Sequence, residues 1–480
     1  MNTNTYLGNV SSLLRLTAFV CLAVAQVSAA SIKEFGAVGD GDADDTRAIQ
    51  AALDASAIVV VPEGVYRVTN ALRPRENQQI EINGTIKISD AHIQELSADV
   101  VAGQPRVPVR DASGYYVGQW VSIGDEGLPV QGGGKHKVRR EAGDCGQIAK
   151  IEGHTLVMQH NLRRSYKMSA QAKVATQHSA ILITKSNVHI RGRGVVDGNK
   201  ARQFNFAPGD MTPEKGRGED TRAGCGISID SHLEPISNFS IQGITVRDAI
   251  LHNISFYRVQ QASITDVTCV GAHDKNILLR LSEYCRLIGN HCANSEFEDG
   301  IIAYSGNRHV VIQGNVCTDN ARLGICVNAF QRGILLSGNI CTKNGLNYSI
   351  RGDDGSSTGD FSGDGRVHIE GRGNVITGLI SLGGVSMSAT DVVLDGCTIA
   401  GEEGKPIGVG LSIVRHSTDR RVAPVDGVLI RGVTFRHCET GIRVTGQVKS
   451  VRLERNQFRK VEREFDLASE SAAEVKVIRD

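Results

Sequence analysis

Between residues 252 and 328 the chain gathers groups that move protons and hold anions: His252, Tyr257, His273, Asp274, Lys275, Arg280, Glu298, Asp299, Tyr304, Arg322 and Asn328. Asp274 and Asp299, with Glu298 beside the latter, are the carboxyl groups that splitting a glycosidic bond requires, one protonating the leaving oxygen and one activating water or attacking. The same stretch supplies a second set. Tyr304, His252, His273 or Lys275 as base or acid, with Arg280 or Arg322 neutralising a carboxylate, would suit β-elimination or C5 epimerisation of a uronic acid. A third use needs no turnover: Tyr257, Tyr304, Arg280 and Asn328 can stack on and bind a sugar surface, with His252, Lys275 and Arg322 as further contacts. Taken singly, each residue reads as ordinary solvated surface. Their recurrence in three or four consecutive repeats makes them a candidate site.

The element that must position them is that repeat. Five lines align: FSIQGITV from Phe239, ASITDVTC from Ala262, CRLIGNHC from Cys285, VVIQGNVC from Val310 and ILLSGNIC from Ile334. Their third residues, Ile241, Ile264, Leu287, Ile312 and Leu336, are spaced by 23, 23, 25 and 24 residues. A fixed period of this size in a Gly-rich, β-branched chain predicts a solenoid whose coils bury their apolar sides on one another. Val246, Cys269, Cys292, Cys317 and Cys341 form an inward stack, and Asn290, Asn315 and Asn339 an asparagine ladder at a bend. The prediction is an all-β, right-handed parallel β-helix with coils of about 23–25 residues. A second strand follows each bend: NISFY (253–257), NILLR (276–280), GIIAY (300–304) and GICVN (324–328). Alternation sends Ile254, Phe256, Ile277, Leu279, Ile301, Ala303, Ile325 and Val327 inward. Tyr257, Arg280, Tyr304 and Asn328 then form an outward column with steps of about 4.8 Å, and His252, Lys275 and Asp299 immediately precede the strands.

The whole chain is consistent with one long repeat body. It has 480 residues, 40% apolar and 5% aromatic, with 54 glycines and a net charge of +1. That balance provides no global field for nucleic acid or an anionic membrane surface, so an acidic polymer would have to be met by local basic groups, and the oligomeric state stays open. Arg15 precedes the apolar run LTAFVCLAVAQV (16–27), with small residues at Val27–Ala30. Residues 1–30 therefore read as a signal peptide, the mature chain being secreted to the cell exterior or periplasm. The run is too short to span a bilayer. Of the 11 cysteines, Cys21 leaves with this leader. Four of the others occupy one inward column, where cysteine acts as a small hydrophobe. Stacked spacing also admits a disulfide, but buried free thiols are the favoured reading. No Cys/His spacing suggests zinc.

Past the leader, Asp44-Asp45-Thr46 is expected to cap a helix with apolar face Ile49, Ala52 and Leu53. Val59–Val61 reads as a buried strand stopped by Pro62-Glu63-Gly64. The pattern FGAVGDG, DDT, AIQ and VVVPEGVYRV (35–68) resembles the N-terminal signature of the pectate-lyase-like β-helix superfamily. That superfamily includes polygalacturonases, rhamnogalacturonases, polysaccharide lyases, epimerases and phage tailspikes. The resemblance implies a single-stranded right-handed β-helix acting on a glycan. It also makes Asp40, Asp42, Asp44 and Asp45 structural. Asp299-Gly300-Ile301 resembles the first-carboxylate coil of the polygalacturonases, but the next coil reads Asn-Ala-Arg-Leu-Gly (320–324) and lacks the paired aspartate. Residues 299–324 are also similar to mannuronan epimerase coils, without the Asp-Pro-His motif and with Tyr304 where an aspartate is expected.

The chain thus divides into residues 31–99, the cap and first coils; 100–180, a small β insertion carrying the basic loop KHKVRR (135–140); 181–463, the main helix; and 464–480, a C-terminal tail or cap. The polar stretch 200–225 is too long for a simple bend and suits a groove wall. GDDGSSTGDFSGDG (352–365) reads as a flexible loop. Its Asp353, Asp354, Asp360 and Asp364 offer oxygen ligands for calcium without matching a known calcium loop. No cofactor is required by any of the three chemistries.

Overall fold

A computed structural model of the chain describes residues 29–125, 130–133, 136–140, 143–203, 223–230, 234–414 and 425–479. The leader expected at 1–30 therefore falls almost wholly outside the described residues, as do most of the polar stretch 200–225 and the side chains of Lys135, His136, Lys137, Arg139 and Arg140. Among the described residues no helix is long and apolar enough to cross a membrane.

The backbone winds as a right-handed parallel β-helix. One sheet takes a strand from each coil, 15 in all, running from Ala30–Ser31 through Val311–Gln313 to Val475–Ile478. The remaining strands of the coils join a 24-stranded sheet that receives two strands per coil in the middle of the helix, for example Val316–Thr318 and Leu323–Val327. The aligned lines stack in the expected register, Ile241 on Ile264 on Leu287 on Ile312 on Leu336. So does the cysteine column, Val246 on Cys269, Cys292, Cys317 and Cys341. All are buried, because alternation along each strand turns every second side chain into the shared interior. The expected inward residues of the following strands are buried as well, Ile254 and Leu279 among them.

The bends are held by side-chain amides. Asn290 donates to Asn315 at 2.9 Å, Asn315 to Asn339 at 2.9 Å and Asn339 to Asp360 at 2.8 Å. Each asparagine also donates to a carbonyl one coil earlier. A second ladder, unforeseen in the sequence, runs from Asn253 to Asn276, Asn320 and Asn344. Buried corners stay satisfied because each rung both donates and accepts.

Several details differ from expectation. The helix Thr46–Ala55 buries Ile49, Ala52 and Leu53 as expected, and Asp44 of the expected cap accepts from Thr46 N at 3.1 Å, but the Asp45 side chain does not cap it. Its carboxylate accepts from Val38 N at 2.6 Å and Gly39 N at 3.1 Å, pinning the preceding turn. Residues 352–365 form a coil with strands Ser356–Thr358 and Phe361–Ser362. Asp360 closes the asparagine ladder, Asp354 pairs with Arg332 and Asp364 accepts from Lys343 N, so these carboxylates are dispersed by coil geometry. Finally, Val475–Ile478 adds a parallel strand to Val451–Glu454 where a tail is expected.

The insertion is a six-stranded antiparallel sheet, Ile93–Glu95, Arg106–Pro108, Trp120–Gly124, Asp144–Glu152, Thr155–Met158 and Lys173–Thr176, with a core of its own around Val121, Ile148 and Leu156. His136–Arg140, expected as a loop, pairs antiparallel with Val130–Gly133.

Candidate functional site on the outward face

Three successive coils bring Asp274, Glu298 and Arg322 into one stack just ahead of the strands Ile277–Arg280, Ile301–Tyr304 and Leu323–Val327. Glu298 N bonds Asp274 O and Arg322 N bonds Glu298 O, which fixes the order. The residue after each of the first two, Lys275 and Asp299, flanks this stack, and His252 sits one coil before. The result is a compact ionic cluster. Lys275 Nζ is 2.9 Å from Asp274 Oδ2, and His252 Nδ1 is 3.5 Å from the same oxygen. Arg322 grips Asp299 twice, Nε to Oδ1 at 2.9 Å and Nη2 to Oδ2 at 2.8 Å. Arg322 Nε also lies 2.9 Å from Glu298 Oε2, an ion pair without a hydrogen bond because its single hydrogen is aligned on Asp299.

Burial separates these groups by role. Asp274 and Asp299 are 0% exposed, whereas the side chain of Glu298 keeps 13% and that of Arg322 keeps 47%. Two aspartates are thus sealed and paired, and the reachable carboxyl is Glu298. Burial raises its pKa, with Asp299 and Asp274 adding to the rise and Lys275 and Arg322 opposing it. A carboxyl in this state is poised to give up a proton. His273 stands on the same coil as Asp274 with Nδ1 3.1 Å from Glu296 Oε2, and Glu296 Oε1 is 3.2 Å from Lys200 Nζ. Nδ1 donating to Glu296 leaves Nε2 as the lone-pair nitrogen. Lys200 escaped the sequence reading of the site because it lies outside the repeats that carry the other candidates, whereas Glu296 follows His273 by 23 residues, the repeat interval, and is one of the recurring polar residues the sequence offers.

The remaining candidates lie at the far end of the same strands. Tyr257 pairs with Arg280 and Arg280 with Tyr304, as alternation predicts. Arg280 is nevertheless 1% exposed, its guanidinium 5.2 Å from the centre of the Tyr304 ring. Tyr257 and Tyr304 are half-buried, and Asn328, just past its strand, accepts from Ala329 N. Between the two ends Leu278, Ile302, Leu323 and Cys326 pack into a small apolar cluster outside the main core. A four-residue strand is about 13 Å long, so the candidates form two groups, an ionic cluster and a Tyr–Arg column, joined by an apolar floor. Among the described residues no group of three or more His, Cys, Asp or Glu side chains could hold a metal ion.

This solenoid, with its N-terminal helix and outward polar clusters, has the right-handed parallel β-helix fold. The resemblance read in the first coils is borne out. Residues 29–107 match the family described as rhamnogalacturonase A/epimerase, pectate lyase-like. Mannuronan C5-epimerases AlgE3 and AlgE2 of Azotobacter vinelandii are each 38% identical over 78 residues, which is 15% of this chain and 4% and 8% of theirs. The chain therefore matches only a small part of the length of those relatives. Among solved structures, the N-terminal fragment of bacteriophage phi29 gene product 12 has a TM-score of 0.60 at 16% identity, covering 89% of this chain and 66% of that one. The A-module of mannuronan C5-epimerase AlgE4 of Azotobacter vinelandii has a TM-score of 0.53 at 15% identity, covering 92% and 98%. At these identities the likeness concerns the fold.

Proposed function

We propose that the chain is an exported enzyme that processes a uronate-containing polysaccharide by abstracting a proton next to the sugar carboxylate, as a lyase or C5 epimerase. The observation that carries this reading is the division between sealed and reachable groups. Asp274 and Asp299, the pair expected for glycoside hydrolysis, have no exposed surface and are held by Lys275 and Arg322. His273, Glu298 and Arg322 remain reachable on neighbouring coils.

In this reading Arg322 attracts the uronate carboxylate and stabilises the negative charge that develops when the C5 proton leaves. His273 Nε2 takes that proton, with Glu296 and Lys200 holding the ring. Glu298, whose pKa is raised chiefly by burial, gives a proton to the leaving glycosidic oxygen as the C4–C5 double bond forms. Returning a proton to the opposite face of C5 would instead give the epimer. Tyr257, Tyr304 and Asn328 extend the surface along which the glycan lies, with the buried Arg280 beneath the Tyr304 ring.

Hydrolysis is the second reading, favoured by the raised pKa of Glu298 as acid, but it requires Asp299 to leave Arg322. A panel of acidic and neutral polysaccharides, read for reducing ends and ultraviolet absorbance with and without a calcium chelator, separates the cases. Absorbance together with reducing ends, abolished in His273→Ala, is the expected result for a lyase; a change of uronate configuration without chain cleavage is that for an epimerase. Reducing ends without absorbance would mean hydrolysis. Binding with no product would make the face a recognition surface.

A further inference from the structure

Farther along the helix, the outward face carries a second arrangement. The strands Val367–Arg372 and Val385–Thr390 pair in parallel with His368 opposite Ser386 and Glu370 opposite Ser388. Ser386 Oγ is 2.7 Å from His368 Nδ1, and His368 Nε2 is 2.6 Å from Glu370 Oε1. Arg351 Nε lies 3.4 Å from Glu370 Oε2. The side chains of His368 and Glu370 are 13% and 22% exposed, and Ser386 is half-buried, so a solute can reach them. Two further hydroxyls border the group. Ser349 pairs in register with His368, and Ser388 with Glu370. Both are 1% exposed, and neither hydroxyl has a hydrogen-bond partner among the described residues.

We propose that Ser386, His368 and Glu370 form a serine esterase centre that removes acyl groups, acetyl being the simplest, from hydroxyls of a sugar. Glu370 accepts the Nε2 hydrogen of His368, which fixes the tautomer and leaves the Nδ1 lone pair facing the serine hydroxyl. Those are the roles of base and orienting carboxylate in an acyl-transfer triad, with the two ring nitrogens exchanged. Ser386 Oγ attacks the ester carbonyl as its proton passes to Nδ1. The carbonyl–sugar oxygen bond then breaks and the sugar oxygen takes that proton, leaving an acyl-serine. Water attacks the acyl group, gives a proton to Nδ1, and that proton returns to Oγ as the carboxylic acid leaves. Ester and water become alcohol and acid, with no change of oxidation state. The hydroxyls of Ser349 and Ser388 and the guanidinium of Arg351 are the donors at hand for the carbonyl oxygen.

The helix also contains its own control. His189 Nδ1 is 2.8 Å from Ser240 Oγ across parallel strands, so register alone can make a His–Ser pair. Among the described residues no carboxylate pairs with His189, and that pair lies in the 15-stranded sheet. The carboxylate and the bordering hydroxyls distinguish the second group.

The sugar part of this assignment rests on the polysaccharide reading; the triad does not. The test uses the full chain, a fluorophosphonate probe and p-nitrophenyl acetate. The expected results are a label mapping to the peptide that contains Ser386, and ester hydrolysis falling about 10²-fold or more in Ser386→Ala and His368→Ala, with Ser240→Ala unaffected. Far-ultraviolet circular dichroism confirms that each variant is folded. No labelling of the unaltered chain, or labelling that persists in folded Ser386→Ala, overturns the proposal. Acetate release from O-acetylated polysaccharides then tests the substrate. Turnover of the small ester without release from any glycan would uphold the triad and reject the polysaccharide reading.

Discussion

Arg322 reaches from one coil to the next to hold Asp299 through two parallel hydrogen bonds, 2.9 and 2.8 Å long, while nearly half its own side chain faces solvent. A fork-shaped guanidinium is suited to this, since it can bind one carboxylate fully and still present hydrogens elsewhere.

Removing that fork leaves Asp299 buried without its partner. Arg322→Ala should destabilise the chain by about 3 kcal/mol, the lower end for a broken buried pair because Arg322 is partly solvated. Asp299→Asn in the same background should restore part of the loss. Urea unfolding of the single and double variants measures the coupling.

Glu298→Gln mimics the protonated acid without its proton. The raised pKa means the native state favours the protonated form, so its stabilising effect is full below the ordinary value of 4.5 and is lost as pH rises through the native value. The variant should therefore be as stable as the parent at low pH and at least as stable near neutrality, while product formation is lost. Melting temperatures across pH, set beside activity, check both halves.

Asp360 ends the asparagine ladder, accepting from Asn339 and from Ser357, and burial raises its pKa despite those bonds. Its charge is thus a liability that grows as pH rises above the ordinary carboxylate range. Asp360→Asn, which matches the preceding rungs, should remove this pH dependence and equal or exceed the parent in stability at neutral pH. A drop in stability there would show that the carboxylate is needed by Ser357.

The cysteines should be chemically silent in the folded chain. Nine of the ten described ones are buried, Cys145 being the exception, and burial pushes the thiols of Cys225, Cys285 and Cys326 up to about 12. Thiolate is the reactive form. A maleimide or disulfide reagent should modify Cys145 alone among them in native buffer and the others after denaturation. Native labelling of Cys317 would contradict the stacking.

The sequence made the coils legible because their register is written in residue type. Ile241 and its successors and the cysteine column recur at a nearly constant interval, and burial does the rest. The corner formed by residues 352–365 was not legible, because Gly, Ser and Asp there have the composition of a mobile loop; what makes it a coil is Asp360 taking the place of an asparagine. The site was legible as a set of residues and not as an arrangement. Spacing put Asp274, Glu298, Asp299 and Arg322 on adjacent coils, but which carboxylates are sealed depends on depth, which spacing does not encode. His368, Glu370 and Ser386 escaped notice because two of them share one strand and the third arrives 18 residues later, shorter than the period of the clearer repeats.

The ladders of asparagine persist although successive rungs lie 25, 24 and 21 residues apart. Corners therefore act as slack, taking up insertions and deletions while the strands keep their places. Each outward position behaves as an address on a grid, set by coil number and place along the strand. A substitution there can alter what the surface recognises while leaving the neighbouring addresses undisturbed, so such a molecule can acquire or lose a chemistry one coil at a time.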